Sequence, residues 1–385
     1  MTAATAHWNA PARLVVVAMI LGVGVYGMAL GTTYPLLGIL LSGTAADAVN
    51  GLNAAATGLG LLTGIALIPL LYRWLDSGLL PPLGITVMAG SLAALSIADG
   101  FWSLFAARFV LGIGANFLFV IAETALTTVT PMHQRGRVMG LYSSVTAFGF
   151  VAGPAVVAGY PHQAQTLLLG CAVVVLLALG PLLAARRPVS ACVTPAPLRA
   201  MLAPLRGDGS VLVLVFLASA VDAIIIALLP VIALRQGFSP AEGAGLVAVF
   251  HIGLVLGQPV IGICLDRLGR RPTLMACCLI SALATAVVAG AEWIGIWPVA
   301  ATLMVWGAAN YGLYTGGLTV LGDRHRGAAL AAAVGCFAAI YGIASTLATP
   351  LSGLLLQGLG PVGFFAACAL AYALAVVLGA RRLER

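Results

Sequence analysis

The stretch GICLDRLGRRP, residues 262–272, places one aspartate and three arginines between two long apolar segments. The first apolar segment covers residues 244–263, and the second begins at Thr273. Charged residues make up only 8% of the chain, so a cluster of four needs a physical reason. A short, arginine-rich turn between two apolar helices is typical of a loop at a membrane surface.

The composition of the whole chain agrees with this interpretation. The 385 residues are 62% hydrophobic, whereas soluble globular domains are about 45–50% apolar. Uncharged runs cover residues 14–41, 138–160 and 328–359, and each exceeds the roughly 20 residues that span a bilayer as a helix. The sequence therefore predicts an all-α polytopic membrane protein.

Hydropathy predicts twelve spans in two groups of six. They cover residues 14–40, 49–72, 80–98, 101–126, 138–160, 165–184, 210–234, 243–264, 273–291, 294–320, 328–353 and 361–380. The longest polar connection, residues 186–209, separates spans six and seven. We therefore predict an N-terminal six-helix bundle over residues 1–185, a linker over 186–209, and a C-terminal six-helix bundle over 210–385.

Arginine placement predicts the orientation of these spans. All 18 basic residues are arginine, and 16 of them fall on one side if the N-terminus is cytoplasmic. Only Arg235 falls on the outer side, and Arg108 lies within a span. We expect both termini and the linker to be cytoplasmic and the protein to sit in a bacterial inner membrane.

The remaining composition gives little sign of other chemistry. The net charge of +7 is explained by topology, so we expect no nucleic-acid partner. The seven cysteines show neither a CxxC nor a metal-ligand spacing, and we expect no metal and no cofactor. The chain has neither HExxH nor GxSxG, which argues against an intramembrane enzyme.

The opening stretch has the pattern G-x-x-x-D-R-x-G-R-R, which resembles the cytoplasmic-loop signature of the major facilitator superfamily. Its residues are Gly262, Asp266, Arg267, Gly269, Arg270 and Arg271. The resemblance implies two six-helix bundles related by a pseudo-two-fold axis. We expect Asp266 to bind an arginine or a helix N-terminus and to act as a latch. The corresponding loop of the first half, residues 69–79, keeps only Arg73 and Asp76, so this latch is expected to be lopsided.

A second match is RFVLGIGAN, residues 108–116, in span four. It resembles the superfamily motif R-x-x-x-G-x-G, which implies a role for Arg108 in proton coupling. At 100° per residue, an arc of about 80° on this helix contains Arg108, Gly112, Asn116, Phe119 and Glu123. The alternative is a structural arginine bonded to backbone carbonyls, because so deep a charge needs partners.

Span five carries the third match, which resembles the glycine signature of antiporters in this superfamily. Its residues are Gly140, Gly149, Gly153 and Pro154. Val157 and Ala158 replace a glycine pair that the signature has shortly afterwards. Close helix packing through small residues is the rival interpretation. Several segments also resemble the YcaD-like branch, and a drug:proton antiporter-like branch is the alternative, although span one lacks that branch's acid.

Four ionisable residues lie inside the predicted spans: Arg108, Glu123, Asp222 and His251. Asp222 lies in the middle of span seven, where a lone carboxyl group is a candidate proton carrier. His251 lies at similar depth in span eight and could pair with it. Glu123 lies near the cytoplasmic boundary, where a gate contact with Arg135 or Arg137 is as plausible as proton coupling.

The superfamily resemblance implies that spans one, four, seven and ten line a central cavity. The candidate substrate-binding residues on these spans are Tyr26, Asn116, Phe119, Asn310, Tyr311 and Tyr314. Aromatic residues at helical spacing also serve packing alone, so both interpretations stay open.

The combined prediction is a secondary active transporter, not an enzyme, that moves a small organic solute by alternating access. We expect coupling to protons and a monomer in the lipid bilayer. Export by antiport is favoured over proton-coupled uptake of an organic or anionic metabolite. A channel is the alternative of another class.

Overall fold

The computed structural model describes residues 10–42, 47–160, 163–194, 196–235, 237, 240–290 and 295–382. The described residues contain helices and turns and no strand. The helices matching spans one to twelve are Ala10–Ser42, Asp47–Leu71, Leu80–Ser96, Phe101–Val129, Arg135–Gly159, the pair Ala164–Leu177 and Leu179–Cys192, Gly209–Arg235, Pro240–Arg267, Arg270–Ala289, Ile296–Arg324, and Gly327–Arg382, which holds spans eleven and twelve.

Ten helical segments of the described residues are long and apolar enough to cross a membrane. The two other predicted spans are also helices. The part of span two whose side chains are described is an apolar helix over Ala55–Leu71, and span ten carries Asn310, Tyr311 and Tyr314 within its length. Polar residues at these positions lower the hydropathy of span ten without ending its helix. The prediction of an all-α polytopic fold is confirmed.

Spans eleven and twelve are separated by one residue with a non-helical backbone. Gly360 has φ 66° and ψ 178° inside the segment Gly327–Arg382. Residues with a side chain rarely adopt a positive φ, so glycine permits the chain to change direction here. The turn agrees with the predicted boundary between residues 353 and 361.

The linker is more ordered than its polar composition suggests. The last helix of span six continues to Cys192, and the linker contains a 3₁₀ helix at Leu198–Leu202 and a helical turn at Pro204–Gly207. The backbone amide of Gly78 donates to Ser190 Oγ at 3.0 Å, and Ser77 Oγ donates to the Val193 carbonyl at 3.2 Å. These contacts hold residues 186–192 as helix, so the start of the predicted linker belongs to span six.

Two of the contacts between the halves of the chain are related by symmetry. Spans five and eight approach at Gly136 and Gly262, where a Cβ atom on Gly262 would lie 2.5 Å from the Gly136 carbonyl oxygen. Spans two and eleven approach where Gly342 faces Leu62. Span five corresponds to span eleven and span eight to span two, so the two contacts are related as a pseudo-two-fold axis requires. Spans six, nine and twelve expose leucine side chains such as Leu177, Leu283 and Leu370, as lipid-facing helices do.

Candidate functional site

One end of the helical bundle, here called the arginine-rich end, carries the residues of the opening sequence. There Asp266 Oδ1 accepts a hydrogen bond from the backbone amide of Gly136, and Oδ2 accepts one from that of Arg137, both at 2.9 Å. These amides lie in the first turn of span five, where a carboxylate also interacts favourably with the helix dipole. A residue of the second half thus caps a helix of the first half.

Arg270 connects this contact to a second acid. Its Nη1 lies 3.0 Å from Asp266 Oδ1, its Nε donates to Asp323 Oδ2 at 2.9 Å, and its Nη2 donates to the Met132 carbonyl at 2.7 Å. Asp323 also accepts from Arg135 Nη1, an ion pair across the halves. Asp323 is not among the site residues predicted from the sequence. Its position at the end of span ten, beside a run of arginines, was the available signal.

The other residues of the motif have different surroundings. Gly269 has φ 98° and precedes the first residue of span nine, so it makes the turn that a side chain would strain. Arg267 is exposed at the end of span eight, and Arg271 is half-buried. Arg270 is therefore the arginine of this motif for which contacts across the halves are observed.

The first half lacks an equivalent contact at Asp76. The segment after it, Ser77–Leu79, packs on the end of span six instead, through the two hydrogen bonds given above. Asp208, just before span seven, accepts from Arg324 at 3.0 Å and pairs with His325 at 2.7 Å within the second half. Among the described residues, the acid-capped contact between halves is thus one-sided.

Asp222 and His251 are neighbours in the middle of the second half. His251 Nε2 lies 3.5 Å from Asp222 Oδ1, and both residues are buried. Tyr311 donates to Asp222 Oδ2 at 3.1 Å, and His251 Nδ1 lies 2.9 Å from the Val247 carbonyl. Apart from the histidine, Asp222 Oδ1 has no hydrogen-bonding partner among the described residues.

Glu123 is fully buried where the two halves meet. Its Oε1 accepts from Tyr142 at 3.1 Å and from Tyr314, which belongs to the second half. The expected gate contact with an arginine is wrong in this structure, because Arg135 pairs with Asp323 and Arg137 lies 3.9 Å from Asp266. Two tyrosine hydroxyls donate hydrogen bonds to the Glu123 carboxylate in place of an arginine.

Aromatic rings fill the space between the two buried acids. Ring centroids lie 5.6 Å apart for Tyr26 and Phe119, 6.4 Å for Phe119 and Tyr314, and 5.9 Å for Tyr311 and Tyr314. This central aromatic cluster comprises Tyr26, Phe119, Tyr142, Tyr311, Tyr314, Phe337 and Tyr341. The sequence analysis missed Tyr142, Phe337 and Tyr341, since it took candidates from spans one, four, seven and ten alone.

The two asparagines proposed as substrate-binding residues lie elsewhere. Asn310 donates to the Ala218 carbonyl at 3.0 Å and accepts from Tyr372 at 2.6 Å, so both its polar groups are used between spans seven, ten and twelve. Asn116 faces span two, where a Cβ atom on Gly64 would lie 2.7 Å from its own Cβ. Both asparagines lie at contacts between helices, and their role in substrate binding stays a prediction.

Arg108 also faces span two, in company with neutral groups. Its Nη1 donates to Asn53 Oδ1 at 3.2 Å and its Nε lies 3.4 Å from Thr57 Oγ1. Its guanidinium carbon lies 4.8 Å from the centre of the Tyr34 ring. None of these partners is a backbone carbonyl. The alternative interpretation of Arg108, as a structural arginine, expected hydrogen bonds to backbone carbonyls.

The glycines of span five serve two interfaces. Gly149 and Gly153 pack against the backbone of span one, and Gly140 packs against Gln258 and Gly262 of span eight. The side chain of Pro154 lies outside the described residues. Close helix packing is thus observed at three positions of the motif, with one of them at the boundary between halves.

Comparison with known proteins places this architecture in a family. The family model described as Major Facilitator Superfamily matches residues 19–213 and again 211–385. The chain is 26% identical over 278 residues to an uncharacterised MFS-type transporter of Enterobacter sp. (strain 638), with 70% of each chain covered. It is also 29% identical over 191 residues to the MFS-type transporter YcaD of Escherichia coli O139:H28, with 48% of each covered.

Solved structures share the fold at low sequence identity. The human organic anion transporter MFSD10 has a TM-score of 0.80 at 15% identity, with 96% of this chain and 100% of that chain covered. The transporter FucP in its outward conformation has a TM-score of 0.74 at 16% identity, with 97% and 99% covered. Two matches of the family model that together span nearly the whole sequence establish that this chain belongs to the Major Facilitator Superfamily.

Proposed function

We propose that this chain is a proton-coupled transporter of a small organic solute that works by alternating access, with Asp222 as the proton carrier. The observation that carries the proposal is the contact between Asp222 and His251. Both side chains are buried at mid-depth of the second half, and Tyr311 links Asp222 to the central aromatic cluster.

Hydrogen-bond chemistry supports a proton shared by these two residues. A carbonyl oxygen only accepts, so the contact of His251 Nδ1 with Val247 places a hydrogen on Nδ1. In a neutral ring, Nε2 is then an acceptor, and it faces Asp222 Oδ1 at 3.5 Å. An ionised carboxylate is also an acceptor, and two acceptors repel. A proton on either residue would relieve this repulsion, which supports the pair as the carrier of one proton.

Alternating access would allow the proton to be released to water. The arginine-rich end is closed here by Asp266, Arg270 and Asp323. Separation of the halves at that end would admit water to the centre, where a carboxylate is stabilised by hydration. Capture of the proton in one conformation and release in the other is the exchange that coupling needs.

Export by antiport is the favoured direction, supported by the glycine pattern of span five. Gly140 lies on the boundary between halves and Gly149 and Gly153 on the contact with span one, so helix packing in this span is tied to the movement. Proton-coupled uptake is the second candidate, and it is favoured by Val157 and Ala158, which depart from the antiporter signature.

Flux in proteoliposomes tests the proposal. A thermal-shift screen of metabolites and drugs would first identify a solute that stabilises the purified protein. With that solute, Asp222→Asn should retain exchange without a gradient yet lose accumulation driven by a pH gradient. The matched control Asp99→Asn changes an exposed acid and should behave as wild type. Accumulation by Asp222→Asn against the solute gradient would eliminate Asp222 as the carrier and make Glu123 the next candidate.

The same vesicles separate a transporter from a channel or an intramembrane enzyme. A channel equilibrates solute but does not accumulate it, and an enzyme changes its chemical identity. If the solute is recovered unaltered and is more concentrated inside the vesicles than outside, coupled transport is supported and the other two classes are not.

A further inference from the structure

The guanidinium of Arg108 is buried and only partly satisfied. The residue is 2% exposed, and its Nη2 has no hydrogen-bonding partner among the described residues. The groups that do contact it are the amide oxygen of Asn53, the hydroxyl of Thr57 and the face of the Tyr34 ring. All three are neutral, so the positive charge is solvated without being neutralised.

Such a charge is costly at this depth. Arginine stays protonated in proteins, and an intramembrane arginine ordinarily finds a carboxylate or lines a water-filled cavity. Among the described residues, no carboxylate is observed in contact with Arg108: Asp222 lies beside His251 and Tyr311, and Glu123 beside Tyr142 and Tyr314. The described part of the structure therefore shows no acidic partner for this charge.

The backbone around Arg108 fixes its position. Gly112, one turn further along span four, packs against Gly60 of span two, where a Cβ atom would lie 3.0 Å from the facing Cα. This close approach places Asn53 and Thr57 beside the guanidinium, while Nη2 is buried without a hydrogen-bonding partner among the described residues. A planar fork held by two side chains is well suited to a carboxylate or phosphate group.

Spans one and four both run from this position to the central aromatic cluster. Tyr34 follows Tyr26 of the cluster by eight residues, or about 12 Å, along span one at 1.5 Å per residue. Phe119 of the cluster follows Arg108 by about 16 Å along span four. An anionic group bound at Arg108 would thus lie on the same two helices as the cluster.

We infer that Arg108 binds the anionic group of the transported solute, so that the substrates are small organic anions. The Nη2 edge would donate to the carboxylate or phosphate, Asn53 and Thr57 would hold the guanidinium, and Tyr34 would cover its face. The inference rests on the proposed transport function and narrows it to one substrate class.

Binding to the purified full-length protein tests the inference without any gradient. Thermal unfolding would be followed with benzoate and succinate, with their neutral counterparts benzamide and succinamide, and with chloride as an inorganic anion. We expect at least one carboxylate to raise the unfolding temperature in a saturable way and its amide to have no effect. Binding should weaken by about tenfold or more in Arg108→Gln, which corresponds to about 1.4 kcal/mol.

A second variant keeps the test informative if Arg108→Gln does not fold. Arg108→Lys retains the charge but loses the planar fork, so the preference for carboxylate over chloride should fall. Three outcomes would overturn the inference: no anion stabilises the wild type, chloride stabilises as well as the carboxylates do, or stabilisation persists unchanged in both variants.

Different experimental results would reject the anion site and the proposed proton coupling. Carboxylate binding that depends on Arg108, without any pH-driven flux in wild-type vesicles, would reject proton coupling and keep the anion site. Flux driven by a pH gradient for neutral solutes only, with no carboxylate binding, would reject the anion site and keep proton coupling. The control Asp99→Asn, which changes an exposed acid, should bind the carboxylates as wild type does.

Discussion

The carboxylate of Asp266, near the end of span eight, accepts a hydrogen bond from the backbone amide of Gly136 at 2.9 Å. The two residues belong to different halves of the chain and are 130 positions apart. Because Gly136 lies in the first turn of span five, the acid caps that helix and holds the halves together at once. Movement that separates the halves at this end must break the cap.

Asp266→Asn should therefore favour conformations in which the arginine-rich end is open. The amide keeps the shape of the side chain but loses the charge and one of the two acceptors, a loss of about 1 kcal/mol or roughly fivefold in the population ratio. Spin labels at the exposed positions Trp74 and Leu268, one in each half, would report the distance distribution. Asp76→Asn, in the corresponding loop of the first half, is the matched control. If the distance distributions of Asp266→Asn and wild type are equal, the motif serves only to orient the spans in the membrane.

Gly262→Ala should open the same end by steric means. The added methyl group would lie 2.5 Å from the Gly136 carbonyl oxygen, closer than real Cβ contacts come, so one helix must move. The same labels should show longer distances, and the unfolding temperature should fall. Gly180→Ala is a suitable control because a Cβ atom there meets nothing within 4 Å. If the two variants behave alike, the close approach of spans five and eight does not limit the closed state.

The sequence predicted the arginine-rich end better than the centre of the molecule. Hydropathy, arginine placement and one motif sufficed to propose that Asp266 contacts an arginine or a helix N-terminus, because these signals are local. The partners Arg135 and Asp323 could not be paired in advance, since they are 188 positions apart and neither lies in the motif. Their contact depends on how two bundles dock, which periodicity along one helix does not encode.

The asparagines illustrate the same limit inside the membrane. A helical projection groups Arg108, Asn116 and Glu123 on one face of span four, yet the first two face span two and the third faces Tyr314. An arc of about 80° is wide enough to meet more than one neighbouring helix. Which neighbour each side chain meets depends on the packing of small residues such as Gly60 and Gly64, and only the structure supplies that.

Asn310 and Tyr311 should differ in the effect of their removal, although they are adjacent. Asn310→Ala removes the side-chain donor to the Ala218 carbonyl and the acceptor of the Tyr372 hydroxyl, so the folded state should lose about 1–3 kcal/mol. Tyr311→Phe removes one hydroxyl from Asp222, so stability should change less while proton-coupled flux falls. Thermal unfolding and pH-driven uptake, measured on both variants, would separate the roles. A larger coupling defect in Asn310→Ala than in Tyr311→Phe would return Asn310 to the candidate site.

Topology offers an independent check on the arginine count. Fluorescent-protein fusions at residue 385 and insertions in the linker near residue 196 should fluoresce, because both positions are expected to be cytoplasmic. Alkaline phosphatase inserted beside Asp99, between spans three and four, should be active, since that loop is expected to face outward. Active phosphatase at the C-terminus or in the linker would overturn the orientation of all twelve spans.

His251→Gln should simplify the pH dependence of transport. The proposed function has Asp222 and His251 sharing one proton, so removal of either group should change the pH dependence of solute exchange. Glutamine keeps a polar side chain near Val247 and Asp222 but cannot take up a proton. The pH profile of solute exchange should then lose one of its steps, with the remaining step at a shifted midpoint. The matched control is His133→Gln, at an exposed position before span five, which should leave the profile unchanged. Superimposable pH profiles for His251→Gln and wild type would show that His251 does not take part in proton coupling. The carrier would then be Asp222 alone.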